Sequence, residues 1–321
     1  MATAAASVLF QIGTGQNVMK PRVRHTPNLK TTTIIRSSTE NYDRANDVKR
    51  FDDSKVGVKG LVDSGITTIP RFFVHPPETL ADLKPGTRTG SGPEIIPAID
   101  LSGLDSGNRR DTIQLRMGPK LADREEIPEI CRNEVIEWDQ EIKQLGELLT
   151  GLLCEGLGVE TARFKDMTCL EGRVMVGHYY PYCPQPDLTI GLAYHTDPGV
   201  LTVVQQDHVG GLQVKYGGGW LDVKPIPGAL VINIGDLLQI ISNEEYKSAE
   251  HRVLANAHGE PRVSLAVFFS PGNREDMYGP LPELISPEKP AIYRQFTLTD
   301  FMTRFFNKEL DCKSLTNYYK L

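Results

Sequence analysis

The stretch LTVVQQDHVGGLQVKYGGGWLDV (201–223) decides the fold. It holds three short runs, Leu201–Gln206, Gly211–Val214 and Trp220–Val223, and Gly217-Gly218-Gly219 forms a hairpin turn between the last two. The same punctuation continues on both sides, with Met175–Tyr180 before it and Ala229–Ile234, His251–Leu254 and Arg262–Ser270 after it. Many short strands at this spacing point to a sandwich or barrel, with the double-sheet jelly roll as the leading form. The expected class is therefore mainly β, a double-stranded β-helix with supporting α-helices.

Upstream, Cys131, Val135, Trp138, Ile142, Leu145, Leu149 and Leu152 recur at spacings of four and three. That is one apolar stripe of a packing helix, opened by Pro128 and ended by Gly156 and Gly158. Downstream, a last helix over Leu298–Leu310 is expected to pack Phe301, Phe305 and Phe306. Residues 41–110 are polar and broken by Pro and Gly, with one candidate strand at Ile95–Leu101. No acidic residue precedes Glu40, whereas Lys20, Arg22, Arg24, Lys30 and Arg36 are basic and hydroxyl residues abound. That composition suits an organelle transit peptide with a plastid address, or a disordered tail. The expected division is a 1–40 extension, an N-terminal region at 41–110, and a linker strand with the long helix at 111–172. A core at 173–275 and a C-terminal helix and tail at 276–321 complete it.

The bulk composition narrows the function classes. The 321 residues are 40% hydrophobic and 24% charged, with a net charge of −6. A chain of this balance can bury a substantial core, and its charge argues against a nucleic acid partner. No apolar run reaches the length of a membrane span. The five cysteines, Cys131, Cys154, Cys169, Cys183 and Cys312, form no CxxC pair and no zinc spacing. Reduced thiols in an intracellular compartment, cytoplasmic or plastid, and a monomer acting on a small molecule are expected.

Chemistry enters with His195-Thr196-Asp197. On a strand or its end, residues i and i+2 project to one side, so an imidazole and a carboxylate converge. The best placed third ligand is His251, at the start of a later strand, with 53 residues between it and Asp197. Two His and one carboxylate leave three positions of an octahedral iron open, enough for a chelating 2-oxo acid and O₂. The strand that follows places Arg262, Ser264, Ala266 and Phe268 on one face. An Arg and a Ser turned into a barrel lumen are costly unless they bind something. A guanidinium fork and a hydroxyl suit the distal carboxylate of 2-oxoglutarate, although a structural salt bridge with a buried acid would also explain the Arg. Phe268, farther along that face, is placed to wall a substrate.

An HxD pair, a distant His and an RxS pair in that order, set in GHYYPYCPQPDLTIG (177–191), YHTD (194–197), KSAEHRVLAN (247–256) and PRVSLAVFFSPG (261–272), resemble the plant 2-oxoglutarate/Fe(II)-dependent dioxygenases. GGWLDVKPIPGALVINIGDLLQIISN (218–243) and NYDRANDVKRFDDSKVGVKGLVDSG (41–65) extend the likeness from Asn41 to the C-terminus. Within that family the look is that of the 1-aminocyclopropane-1-carboxylate oxidase homologue group, which includes benzoxazinoid-glucoside dioxygenases. The resemblance implies an oxidoreductase with His195, Asp197 and His251 as iron ligands. It further implies Arg262, Ser264 and Tyr180 as 2-oxoglutarate binders, and ascorbate as reductant. His178 sits in the pocket where many members have Asn. Asn233, Gly235 and Asp236 match a structural turn to which no chemistry is assigned. The implied reaction is hydroxylation, oxidative demethylation or desaturation of a small specialised metabolite, with release of succinate and CO₂. True 1-aminocyclopropane-1-carboxylate oxidase activity is a lesser alternative.

The chain departs from the family pattern at one joint, near Arg109–Asp111. There Gly107-Asn108-Arg109-Arg110 runs directly into Asp111-Thr112-Ile113-Gln114-Leu115-Arg116, with several dozen family residues missing between them. The loss is expected to remove a strand of the major sheet and helices that cover it, exposing a sheet edge. A catalytically impaired paralogue or splice form with intact ligands is the competing expectation.

Overall fold

A computed structural model describes residues 42–80, 110–120, 122–307 and 314–321. The expected extension at 1–40 and the candidate strand Ile95–Leu101 lie outside the described residues. Helices α1 (Arg44–Ser54), α2 (Gly57–Asp63) and α3 (Pro77–Leu80) come first. Strand β1 (Asp111–Arg116), the long helix α4 (Arg132–Leu157) and α5 (Arg163–Asp166) follow. Then come β2 (Gly172–Tyr180), β3 (Ile190–His195), β4 (Leu201–Gln206), β5 (Leu212–Tyr216), β6 (Gly219–Asp222) and β7 (Val231–Ile234). Helix α6 (Asp236–Ile241) and strands β8 (His251–Leu254), β9 (Arg262–Ser270), β10 (Met277–Tyr278) and β11 (Phe296–Thr297) precede α7 (Leu298–Asn307) and α8 (Ser314–Tyr318).

Two antiparallel sheets face each other. The major sheet has the order β1-β2-β9-β4-β7 and the minor sheet β3-β8-β5-β6. Non-sequential neighbours in both sheets are the mark of a jelly roll rather than a meander. One apolar cluster lies between them, with Val176, Val204 and Phe268 from the major sheet meeting Leu192, Leu212 and Val253 from the minor. A second lies on the outer face of the major sheet, where Val267 and Phe269 join Ile142 and Leu149 of α4. Strand β9 serves both, because successive side chains alternate between faces. Gly146 lets α4 approach closely, since a Cβ there would stand 3.1 Å from the Phe269 ring. In the β5–β6 hairpin, Gly217 and Gly218 have φ of 56° and 84°, the left-handed backbone that such a turn requires.

Four expectations need correction. In α7, Phe301 and Phe305 are buried as expected, but Phe306 is 65% exposed. The buried stripe of α4 runs through Ile142, Gly146, Leu149 and Leu153, whereas Leu152 is 47% exposed. A strict four-and-three repeat averages 3.5 residues per turn, so over several turns a straight helix drifts off it by a residue. The segment Glu129–Cys131 after Pro128 is a 3-10 turn, so α4 begins at Arg132; Gly158 caps its end in the left-handed region. The polar N-terminal region carries α1 and α2, which periodicity did not announce because α1 buries no residue at all. These helices rest on Phe72 and Phe73, and α2 is tied to β1 by the Asp111 carboxylate, which accepts from Val58 N (2.7 Å) and Lys59 N (2.8 Å).

Candidate metal centre

Strand β3 ends at His195 and β8 begins at His251, and antiparallel register makes the two Cα partners across the minor sheet. Their rings meet edge to face with centroids 4.1 Å apart. Each ring is oriented by a carbonyl two residues earlier: His195 Nδ1 donates to Ala193 O (2.6 Å) and His251 Nδ1 to Ala249 O (3.0 Å). Since a carbonyl only accepts, both Nδ1 atoms carry the proton and both Nε2 atoms present lone pairs. Those Nε2 atoms stand 3.9 and 3.7 Å from Asp197 Oδ1, too far for hydrogen bonds and suited to donors sharing one ion.

Asp197 is fully buried, and its two oxygens have divided roles. Oδ2 accepts from Thr202 Oγ1 and from Asn233 Nδ2, both at 2.6 Å. Oδ1 is buried without a hydrogen-bond partner. An ionised carboxylate left half-satisfied in the interior is expensive unless a cation completes it, and the donor set fits a 2-His-1-carboxylate iron site. Burial opposes ionisation of Asp197, yet the adjacent His251 and His195 hold its carboxyl below its ordinary value. The loop that carries it is clamped by α6. Asp236 N donates to Asp197 O (2.6 Å), and Thr196 Oγ1 donates to Asp236 Oδ2 (2.9 Å). At Gly235 any Cβ would fall 2.1 Å from Gly199 O, so glycine is required for this close approach. The Asn233–Asp236 segment thus has the structural part expected of it, positioning the ligand loop, and Asp236 opens a buried helix.

At the other end of the lumen, Arg262 Nη1 donates to Ser264 Oγ (2.9 Å) and Nη2 to Gln206 Oε1 (3.3 Å). The guanidinium lies 5.1 Å above the Tyr180 ring, and its Nε is buried without a partner. Burial lowers the Arg262 pKa from its ordinary value. No carboxylate among the described residues forms an ion pair with it, which removes the salt-bridge explanation. Arg262, Ser264, Tyr180, His178 and the iron-ligand candidate His251 line one cavity, together with apolar residues such as Leu192 and Val204. Phe268 is buried on the same lumen face but belongs to the apolar cluster and does not line this cavity. Sequence reasoning missed Thr202, Gln206 and Thr112, which contacts His178. A lone Thr in the apolar run Leu201–Val204 was the one signal available.

The 2OG-Fe(II) oxygenase superfamily model matches residues 171–271, the span that holds all of these residues except Thr112. The Arabidopsis thaliana protein named 1-aminocyclopropane-1-carboxylate oxidase homolog 4 is 39% identical over 348 residues, covering 87% of this chain and 99% of that protein. Deacetoxyvindoline 4-hydroxylase of Catharanthus roseus is 35% identical, covering 86% and 89%. The crystal structure of JOX2 in complex with 2OG, Fe and JA superposes with a TM-score of 0.64 at 33% identity, covering 68% of this chain and 67% of that one. The first alignment runs over 348 positions but takes in 87% of 321 residues, about 279, so about 70 positions of the relative have no counterpart here. Among the described residues, no helix is long and apolar enough to cross a membrane. On this identity and coverage, the chain belongs to the plant 2-oxoglutarate- and Fe(II)-dependent dioxygenases, oxidoreductases whose cofactors are Fe(II) and 2-oxoglutarate.

Proposed function

We propose that His195, Asp197 and His251 hold Fe(II), that Arg262, Ser264 and Tyr180 hold 2-oxoglutarate, and that the enzyme oxidises a small plant specialised metabolite. The observation that carries this reading is a lumen with a converging cluster of three metal-ligand donors at one end and, at the other, a buried guanidinium that forms no ion pair among the described residues. When bound, Fe(II) and 2-oxoglutarate supply O₂ activation, with succinate and CO₂ as products and ascorbate as reductant. The chain's own residues do the rest. The backbone carbonyls of Ala193 and Ala249 keep both imidazoles in the ligating tautomer, and Thr202 and Asn233 leave one Asp197 oxygen for the metal. Arg262 and Ser264 fix a carboxylate by charge-assisted bonds, and the apolar walls exclude water. Likeness to a 4-hydroxylase favours hydroxylation among the possible outcomes.

A second reading has its own observation. Strand β1 is an edge of the major sheet among the described residues, Thr112, Ile113 and Gln114 on it are exposed, and about 70 aligned positions are absent. On that reading the chain keeps the ligands and turns over poorly. Conversion of 2-oxoglutarate to succinate with Fe(II) and ascorbate, measured beside His195→Ala, separates the two. Turnover well above the variant supports the active enzyme; turnover equal to it supports the impaired form.

A further inference from the structure

One polar row crosses four strands of the major sheet at a single register. Thr112 of β1 is the Cα partner of His178 on β2, His178 of Ser264 on β9, and Ser264 of Gln206 on β4. The inner end of the row is the Arg262 anchor already described, since Arg262 binds both Ser264 and Gln206. The outer end has no role in it so far. There, Arg110 Nε donates to Thr112 Oγ1 (3.3 Å), and Thr112 Oγ1 lies 3.1 Å from His178 Nδ1. His178 is 3% exposed, and its Nε2 is buried, lines the cavity and has no hydrogen-bond partner.

We propose that Thr112 is a positioning residue that sets the tautomer of His178, so that Nε2–H points into the cavity and donates to a carboxylate of 2-oxoglutarate. An arginine Nε only donates, so the Thr112 oxygen accepts there with one lone pair; giving its own hydrogen to His178 Nδ1, rather than accepting again, is the arrangement that leaves Nε2–H for an anion. His178 Nδ1 is then the acceptor and Nε2 the donor. The opposite tautomer would aim a lone pair at the place where an anion must sit beside Ser264 and Arg262. Burial, with the nearby Arg110 and Arg262 charges, holds the imidazole neutral, so only one nitrogen carries a proton. Strand β1 is held in place for this by the bonds from α2 to Asp111, next in the chain. A strand at the exposed edge of the sheet thereby contributes to the cosubstrate site.

The inference rests on the proposed iron and 2-oxoglutarate site, and its test separates the two. The dissociation constant of 2-oxoglutarate is measured anaerobically on the Fe(II)-loaded full chain, from the visible charge-transfer band of the chelate, with no turnover involved. His178→Phe removes the donor and is expected to weaken binding about tenfold, the size of one lost hydrogen bond to a charged group. Thr112→Val weakens it about three- to tenfold where position 178 is His, and Thr112→Ser retains wild-type affinity. The deciding variant is His178→Asn, whose amide donates without needing a tautomer, so in that background Thr112→Val leaves the affinity unchanged. An equal loss from Thr112→Val in both backgrounds, or no loss from His178→Phe, overturns the inference while leaving the site reading intact. Absence of the band in wild-type protein that binds Fe(II) overturns the site reading and the inference with it.

Discussion

The two flanks of the major sheet are built to different standards. On the β4–β7 flank, Thr202 and Asn233 are essentially unexposed and both spend their side chains on one oxygen of Asp197. On the β1 flank, Ile113 is 48% exposed and Val263, two strands away on β9, is 47% exposed. The polar side chains that support Asp197 are buried and bonded to one of its oxygens, whereas on the β1 flank apolar groups are left in water. The difference teaches that the side chains supporting Asp197 come from the side of the major sheet away from its β1 edge. The Thr112–His178 contact is the exception, a hydrogen bond that runs from the β1 flank to a residue lining the cavity.

The sharpest way to break this comparison is to remove a ligand. Asp197→Ala should abolish Fe(II) binding in a calorimetric titration, because the site would lose its only anionic donor among His195, Asp197 and His251. Arg262→Leu should raise the Kd of 2-oxoglutarate about a hundredfold, the cost of a charge-assisted pair at about 1.5–3 kcal/mol. The same variant should melt no lower than wild type, because it removes a buried cation that forms no ion pair with a carboxylate among the described residues. A lower midpoint would mean that the guanidinium is structural.

How much of this was legible in the sequence follows the physics of each part. Strands β4, β8 and β9 have the bounds their patterns predicted, because period-two alternation between apolar faces is a strong local signal. The three metal-ligand candidates were legible for the same reason: spacing on a strand fixes side-chain direction. That His195 and His251 are register partners was not, since pairing of distant strands is a tertiary property. Helix α6 was not anticipated beyond the turn at Asn233–Asp236, because all six of its residues are buried and no exposed polar face marks a helical period. Helix α1 was missed for the opposite reason, being polar nearly all round.

Smaller perturbations sharpen the contrast. Asn233→Ala or Thr202→Val should weaken Fe(II) about 10–100-fold, as loss of a bond that orients a ligand does, without loss of fold by circular dichroism. An unchanged Kd would show that Asp197 needs no second oxygen partner. On the bare flank, Ile113→Lys should change stability by no more than about 0.5 kcal/mol in chemical unfolding. It should also slow aggregation, because a lysine on an exposed edge strand blocks edge-to-edge pairing. A large destabilisation there would mean that Ile113 is covered in solution.

The central claim is that the iron and 2-oxoglutarate site is complete although about 70 positions of the relative have no counterpart in this chain. The most direct measurement is the anaerobic visible spectrum of the purified chain with Fe(II) and 2-oxoglutarate. A saturable charge-transfer band, absent in His195→Ala and needing far more cosubstrate in Arg262→Leu, is the predicted result. A folded, iron-binding wild-type protein that gives no band at any 2-oxoglutarate concentration would contradict it.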